Sequence, residues 1–352
     1  MATHAYTQDL IGEHSSIEAL RRLVARVATS KVNTVLIYGE TGTGKGLVAR
    51  MIHQQSARAE KEFLDINCAA IPGDLLESEL FGFERGAFTG AVGMKQGLIE
   101  AANGGSVFLD EVRELDPVMQ AKILTLLDTQ RFRRVGSVRP TSVDVRFIAA
   151  TNKILLSEVK AGHFREDLYY RLQVISINIP PLRERGEDVF ILTERFMAKC
   201  NALYGSRMRS LEPEVQAVFR AYGWPGNVRE LENLLERICI LEDGDTIRME
   251  HLPQRIPREA RAHAHAAEAA PRQESAATTG AWLTPSREPD NSYQAATEHF
   301  QRALIRQALD ASHGSLGRAA HRLALTRHAL RHQMLKLGLV SQDRDDPGGT
   351  EH

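Results

Sequence analysis

The chain has 352 residues, 43% of them apolar and 25% charged, which is enough for two or three domains with a sizeable core and excludes a wholly disordered chain. Its formal net charge is −1, so any nucleic-acid binding has to come from a local patch. The cysteines Cys68, Cys200 and Cys239 show no CxxC or metal-type spacing, which suits a reducing compartment. Residues 1–10 lack a basic start followed by an apolar run, and no apolar run approaches the length of a membrane span. The expectation is a cytoplasmic protein without a membrane partner.

From Ser16 the spacing of Ile17, Leu20, Leu23, Val24 and Val27 predicts a helix to residue 30. It leads into an apolar strand at 34–38, and the expectation is that no separate sensory domain fits before it. Gly39-Glu40-Thr41-Gly42-Thr43-Gly44-Lys45-Gly46 follows that strand and precedes a helix at 47–53. Strand, glycine-rich loop, lysine and helix together predict a phosphate-binding loop. Glycines let backbone N–H groups curl around an anion, the helix start points at it, and Lys45 reaches the β- and γ-phosphates. The Ser or Thr that commonly follows the lysine is replaced by Gly46.

Further strands are predicted at 63–66 ending in Asn67, at 107–109 ending in Asp110-Glu111, at 145–150 ending in Thr151-Asn152, and at 174–179. Helical patterns lie between them, for example at 74–80 and 117–130. Strands alternating with helices imply an α/β fold with a doubly wound parallel sheet, whose ligands sit at the carboxyl ends of the strands. An apolar strand ending in Asp-Glu, about 65 residues after the lysine, suits nucleotide chemistry. Asp110 would hold Mg²⁺ and Glu111 would orient or deprotonate water. The alternative is a helix start with acidic first-turn residues.

Residues 67–105 are too many for a simple connection, and glycines at 82, 86, 90 and 93 mark a mobile loop. Phe88 at its tip is either folded into a core or waiting for a partner. From 183 to 255 strands vanish and helices dominate, at 187–203, 212–222 and 228–241, broken at Trp224-Pro225-Gly226-Asn227. They form a helical lid whose Arg229, in a first turn, either meets a phosphate or pairs with Glu232 or Glu236.

Residues 257–297 read as a linker rich in Ala, Pro, Ser and Thr. His263 and His265 lack further ligands and read as solvated. Beyond it, helices at 316–324 and 327–337 meet at a tight turn, with Ala319, Ala320, Leu323, Leu325, Ala329 and Leu330 at the corner. Thr326 can cap the second helix, which carries Arg327, His328, Arg331, His332 and Lys336. Between Glu298 and Val340 there are seven Lys/Arg and two acids. This reads as a helix-turn-helix that places those residues on DNA; the alternative is a dimerising hairpin with a solvated basic face.

Gly86-Ala87-Phe88-Thr89-Gly90-Ala91 matches the GAFTGA signature of the bacterial enhancer-binding proteins, the hexameric AAA-type ATPases that activate sigma-54 RNA polymerase. Supporting matches include Asn67-Cys68-Ala69-Ala70, Glu79-Leu80-Phe81-Gly82, Phe164-Arg165-Glu166-Asp167-Leu168-Tyr169-Tyr170-Arg171-Leu172, Pro181-Leu182-Arg183-Glu184-Arg185, and Trp224-Pro225-Gly226-Asn227-Val228-Arg229. The resemblance covers about residues 9–256 and again 298–340, where it is to a Fis-type helix-turn-helix. It implies an AAA-type ATPase subdomain at 1–182, a lid at 183–256, a flexible linker at 257–297 and a DNA-binding domain at 298–341, with a disordered polar tail expected at 342–352.

The resemblance also implies roles. Arg165 and Arg171 resemble arginine fingers that reach a neighbouring subunit. Asn67 resembles a switch holding Glu111 from water. Thr151 and Asn152 resemble sensor I, Arg229 resembles sensor II, and Phe88 and Thr89 would touch the sigma factor. ATP and Mg²⁺ are the implied cofactors. Sigma-54 polymerase, upstream DNA and the chain itself are the implied partners. Control is then expected from elsewhere, through an inhibitory protein acting in trans, a co-activator or expression level.

Three positions depart from the family pattern: Gly46 where Glu is common, Phe83 where His is usual, and Ala324-Leu325 in the turn. The competing readings are a DNA-binding regulator that uses nucleotide only as a ligand, and an AAA-type remodeller of another protein.

Overall fold

The computed structural model describes residues 10–269 and, nearer the C-terminus, 305, 306, 308, 309, 312, 315–322, 330 and 334. The chain divides into two compact units between Pro271 and Arg272.

In the first unit the elements run α1 (Ser15–Thr29), β1 (Thr34–Tyr38), α2 (Lys45–Gln54), β2 (Phe63–Asn67), α3 (Gly73–Phe81), the short strands β3 (Gly82–Phe83) and β4 (Lys95–Gln96), and α4 (Leu98–Ala101). Then come β5 (Ser106–Asp110), α5 (Pro117–Thr129), β6 (Arg131–Phe132), β7 (Thr141–Ser142), β8 (Arg146–Thr151), α6 (Leu155–Lys160), α7 (Glu166–Leu172) and β9 (Ser176–Asn178). The lid follows as α8 (Asp188–Tyr204), β10 (Ser210–Leu211), α9 (Pro213–Ala221), α10 (Asn227–Leu241), β11 (Thr246–Ile247) and α11 (Arg255–Ala269).

Five strands form one parallel sheet in the order β2-β5-β8-β1-β9. Alternation along each strand feeds two cores. Leu36, Val107, Leu109, Phe147 and Ala149 pack under α3, α5 and α7. Val35, Ile37, Phe108, Ile148 and Ala150 pack under α1 and α2. With both faces covered, β1 and β8 read as unbroken apolar runs rather than alternating ones. This is the expected α/β arrangement, and it brings Gly39, Asn67, Asp110 and Thr151 to one edge of the sheet.

Local chemistry sets the helix ends. Asp116 accepts from the N–H groups of Val118 and Met119, and Pro117 opens α5. Arg146, buried on β8, donates to the last carbonyls of α1 at Val27 (2.7 Å) and Ala28 (3.0 Å). Burial pulls its guanidinium below the usual arginine range.

The lid core gathers Phe219, Tyr222 and Trp224 with α8–α10. Trp224 stands edge-on to Phe219 and Tyr222 and donates to the Phe219 carbonyl at 3.0 Å.

Three expectations need correction. The lid is not free of strand, because β10 and β11 pair in parallel. The loop between β2 and β5 contains its own antiparallel pair, β3 with β4. The linker expected from 257 begins later, since α11 runs to Ala269. Alanine is the strongest helix former, and α11 buries Ile256 and Ala260 in the lid core. A composition that reads as linker is therefore also that of a helix with one anchored face.

In the second unit Ile305, Ala308, Ala319, Ala320, Leu330 and Met334 form a small core, and Leu316–Arg322 is helical. The expected DNA-contacting residues Thr326, Arg327, His328, Arg331, His332 and Lys336 lie outside the described residues.

Candidate active site

The phosphate loop leaves β1 and turns at Gly42 (φ 80°) and Gly44 (φ 99°), which glycine adopts without strain. A Cβ on Gly42 would lie 2.1 Å from the Gly226 carbonyl. No side chain caps α2, so its first N–H groups stay available to an anion. Thr43 is buried and donates to the Glu40 carbonyl at 2.8 Å. Lys45 is buried too, and its Nζ donates to the Gly39 carbonyl at 3.1 Å and faces a Glu111 carboxylate oxygen at 3.6 Å. A Cβ on Gly46 would meet only Phe108, at an ordinary 3.6 Å. Nothing in the packing demands glycine there.

Asp110 ends β5 and accepts from the Glu111 N–H at 3.0 Å. Glu111 then adopts a left-handed backbone, φ 51°. For a residue with a Cβ that costs on the order of 1–3 kcal/mol, strain that clusters at functional sites. Its carboxylate also accepts from the Asn152 N–H at 3.4 Å, while the Asn152 amide reaches Thr41 Oγ1 at 3.3 Å. Asn152 Oδ1 is buried without a partner, an acceptor left over for a bound group. Thr151 is buried, and its hydroxyl bonds with the backbone of Lys153.

Asn67 sits opposite Asp110 in the β2–β5 register. Its side-chain oxygen accepts from the Ala69 N–H at 2.9 Å, and Glu111 is held by Lys45 and Asn152 instead. Between these strand ends lies Cys68, whose thiol is pushed up to about 12 by burial and then by the Asp110 charge, so it is no nucleophile. Donors at the start of α2 and carboxylates at the end of β5 form a donor set that fits a magnesium nucleotide. Lys45 and the α2 amides would hold phosphates, and Asp110 the cation.

Arg165 and Arg171 bracket α7 and are exposed. Arg165 grips Asp167 with two bonds, 3.0 and 2.7 Å. Arg171 contacts Asp128 at 2.9 Å and the Leu127 carbonyl at 2.9 Å. Among the described residues neither bonds to the phosphate loop or to Glu111.

Residues 84–94 rise from the β3–β4 pair. Gly86 and Gly90 have φ 81° and 108° and open space around them. Phe88 is 46% exposed, with its ring edge-on to Phe83 at 4.9 Å. The ring is thus on a neighbour, not in a core. Val92 (84%) and Met94 (58%) are more exposed still. The loop is tied at its base, where Glu84 donates to the Val135 carbonyl at 3.0 Å and Arg134 bonds Glu84 at 2.9 Å and Glu100 at 2.9 Å. Those two carboxylates, Glu84 first, raise the Arg134 guanidinium further above its usual range.

Two polar residues of this region escape sequence reading. Gln120 is buried on the apolar face of α5 and accepts from the Arg165 N–H at 2.8 Å, which fixes the start of α7. Its position in an otherwise apolar stripe is the signal that could have exposed it. Asn227, read only as part of a helix break, is fully buried and bonds the phosphate loop.

Sheet, phosphate loop, acidic strand end and lid together define a P-loop nucleotide-binding module of the AAA+ type. Residues 10–178 match the family model of the Sigma-54 interaction domain and residues 183–269 that of the AAA+ ATPase lid domain. The chain is 43% identical over 330 residues to the response regulator protein PilR of Pseudomonas aeruginosa, covering 94% of this chain and 70% of PilR. It is 41% identical over 335 residues to the nitrogen fixation protein AnfA of Azotobacter vinelandii, covering 94% of this chain and 58% of AnfA. Among solved structures it resembles NtrX from Brucella abortus in complex with ADP, with TM-score 0.66, 33% identity, and coverage of 94% of this chain and 69% of NtrX. The chain belongs to the sigma-54-dependent transcriptional activator family. It spans a little over half of AnfA.

Proposed function

We propose that the chain hydrolyses ATP and uses the reaction to remodel the closed complex of sigma-54 RNA polymerase. The observation that carries this reading is the Phe88-Thr89 tip: a half-exposed aromatic ring on a glycine-hinged loop, in the same compact unit as the phosphate loop. NtrX of Brucella abortus has been crystallised with ATP and with ADP, which supports nucleotide as the ligand.

In this reading the α2 amides and Lys45 bind the β- and γ-phosphates, and Asp110 holds Mg²⁺. The metal, when bound, neutralises charge on the phosphates. Glu111 accepts a proton from the water that attacks the γ-phosphorus. Asn152 stands between Glu111 and Thr41 and senses which nucleotide is present, with Thr151 holding the turn that presents it. Arg229 meets the phosphates from the lid. Asn67, one strand away, exchanges for Lys45 and Asn152 as the partner of Glu111 in another state of the cycle.

Arg165 and Arg171 are exposed, and among the described residues their side chains bond Asp167, Asp128 and the Leu127 carbonyl rather than the phosphate loop or Glu111, so they complete the site of a neighbouring copy. Hydrolysis then depends on a ring, read here as a hexamer. Residues 298–341 anchor the ring to upstream DNA through Thr326, Arg327, His328, Arg331, His332 and Lys336.

The test is open-complex formation on a sigma-54 promoter with purified polymerase. Wild type with ATP is expected to open the promoter, and wild type without nucleotide is not. A protein that hydrolyses ATP yet never opens the promoter contradicts the reading.

A further inference from the structure

Glu40 belongs to the phosphate loop, yet its carboxylate bonds to the lid. It accepts from Arg183 through both guanidinium nitrogens, at 2.8 and 2.5 Å, and from the Asn227 amide at 3.1 Å. Arg183, before any other group, holds the Glu40 carboxyl below its usual range, so the contact is charged at neutral pH.

Asn227 is the hub of this contact. It is fully buried and has a left-handed backbone, φ 50°, which residues with a Cβ seldom adopt. Both amide hydrogens and the oxygen of its side chain are engaged. Its amide also donates to the Thr41 carbonyl at 3.1 Å, and its oxygen accepts from the Leu182 N–H at 2.8 Å. Asn227 is the first residue of α10. Two residues on, the Arg229 N–H donates to the Gly42 carbonyl at 3.3 Å. Residues 40–42 and 226–229 are therefore bolted together at three successive points, with Gly42 lacking a Cβ because the Gly226 carbonyl occupies that space.

We propose that Glu40 is a positioning residue: acting through Asn227, it fixes the start of α10 and so places Arg229 over the phosphate loop. This rests on the reading of Arg229 as the cation that meets the phosphates. The Glu40–Arg183 pair is partly solvent-exposed, 40% and 42%, and such pairs contribute little to folding stability. Its two-pronged geometry fixes orientation. The consequence belongs in turnover, not in melting.

The experiment uses the full chain as wild type, E40A, E40Q, R229A and E40A/R229A. Steady-state ATP hydrolysis, affinity for a fluorescent ADP analogue and Tm are measured for each. E40A is expected to lower kcat by at least about tenfold, because small misplacements of a charge-stabilising group are costly. ADP affinity stays within about threefold of wild type and Tm hardly moves. E40Q, which keeps hydrogen bonds to Asn227, falls between. The double variant is no slower than R229A alone, as expected when one residue acts through the other. A slow R229A beside an E40A of wild-type kcat overturns the route through Asn227. So do losses that multiply in the double variant, or an E40A defect that lies in ADP affinity. R229A with wild-type kcat overturns the Arg229 reading itself, and the route with it.

Discussion

At residues 39–46 the backbone is fixed by distant parts of the fold on several sides, whereas the tip of 84–94 is held by the loop's own bonds, Gly86 N–H to the Ala91 carbonyl and Ala91 N–H to the Phe88 carbonyl. Thr43 and Lys45 are 2% and 7% exposed, and the loop around them bonds to the sheet edge, to Glu111 and to the lid. Phe88 and Val92 are 46% and 84% exposed, and among the described contacts the Phe88 ring touches only Phe83. A region that must hold a charged ligand needs preorganised dipoles, because reorganisation during reaction raises the barrier. A region that must meet another protein needs exposed apolar surface and glycine hinges. The two differ in kind, so a substitution in one need not disturb the local structure of the other.

The largest expected effect is on the cradle. Glu111→Ala should lower ATP hydrolysis by about 10²–10⁴-fold, the usual loss on removing a general base, and should abolish promoter opening with it. Phosphate-release kinetics check this. Residual turnover near wild type would remove Glu111 from the mechanism.

On the output side, Phe83→Ala should free the Phe88 ring. An edge-on pair is worth about 0.5–1.5 kcal/mol, so promoter opening per ATP should change by up to about tenfold. Hydrolysis alone should stay at the wild-type rate. A matched fall in both would mean that the loop base feeds back on the cradle.

A smaller effect is expected from Gly46→Glu. The Cβ has room beside Phe108, and an acid in the first helical turn contributes about 0.3–1 kcal/mol. Turnover or the Mg²⁺ midpoint should therefore move by less than about fivefold without loss of activation. Identical kinetics would show that the departure is neutral.

The smallest effect is a pH dependence. His53 is buried against Ser106 at 2.9 Å, and burial lowers its pKa below the usual 6.5. The unfolded chain thus takes up a proton first as pH falls. Stability is full above about pH 6.5 and declines below it, toward the folded-state pKa. The His53→Gln variant should show a flatter Tm profile between about pH 5 and 6.5 than wild type.

What could be read from the chain follows the range of the interactions. The five sheet strands and the phosphate loop announce themselves by local pattern, and each lies within two residues of its expected bounds. The Phe88-Thr89 loop is marked only by a family signature, since spacing alone leaves the ring's fate open. Contacts between distant residues were out of reach. Glu40 meets Arg183 and Asn227 across 143 and 187 residues, and no local period encodes that. The left-handed turns at Glu111 and Asn227 carry no glycine to betray them. Helix α11 was hidden because its alanines serve linker and helix equally, and the choice is made by Ile256 and Ala260 finding the lid core. Asn67, the expected switch, ends β2 opposite Asp110, but the bonds around Glu111 go to Lys45 and Asn152.

The most direct test of the account is the number of open promoter complexes formed per ATP hydrolysed by Thr89→Ala. Thr89 is exposed at the loop tip and lies apart from the cradle's bonds. The account predicts hydrolysis within about twofold of wild type and loss of promoter opening, as for removal of a contact made only with the partner. A Thr89→Ala protein that opens the promoter as efficiently per ATP as wild type would contradict it.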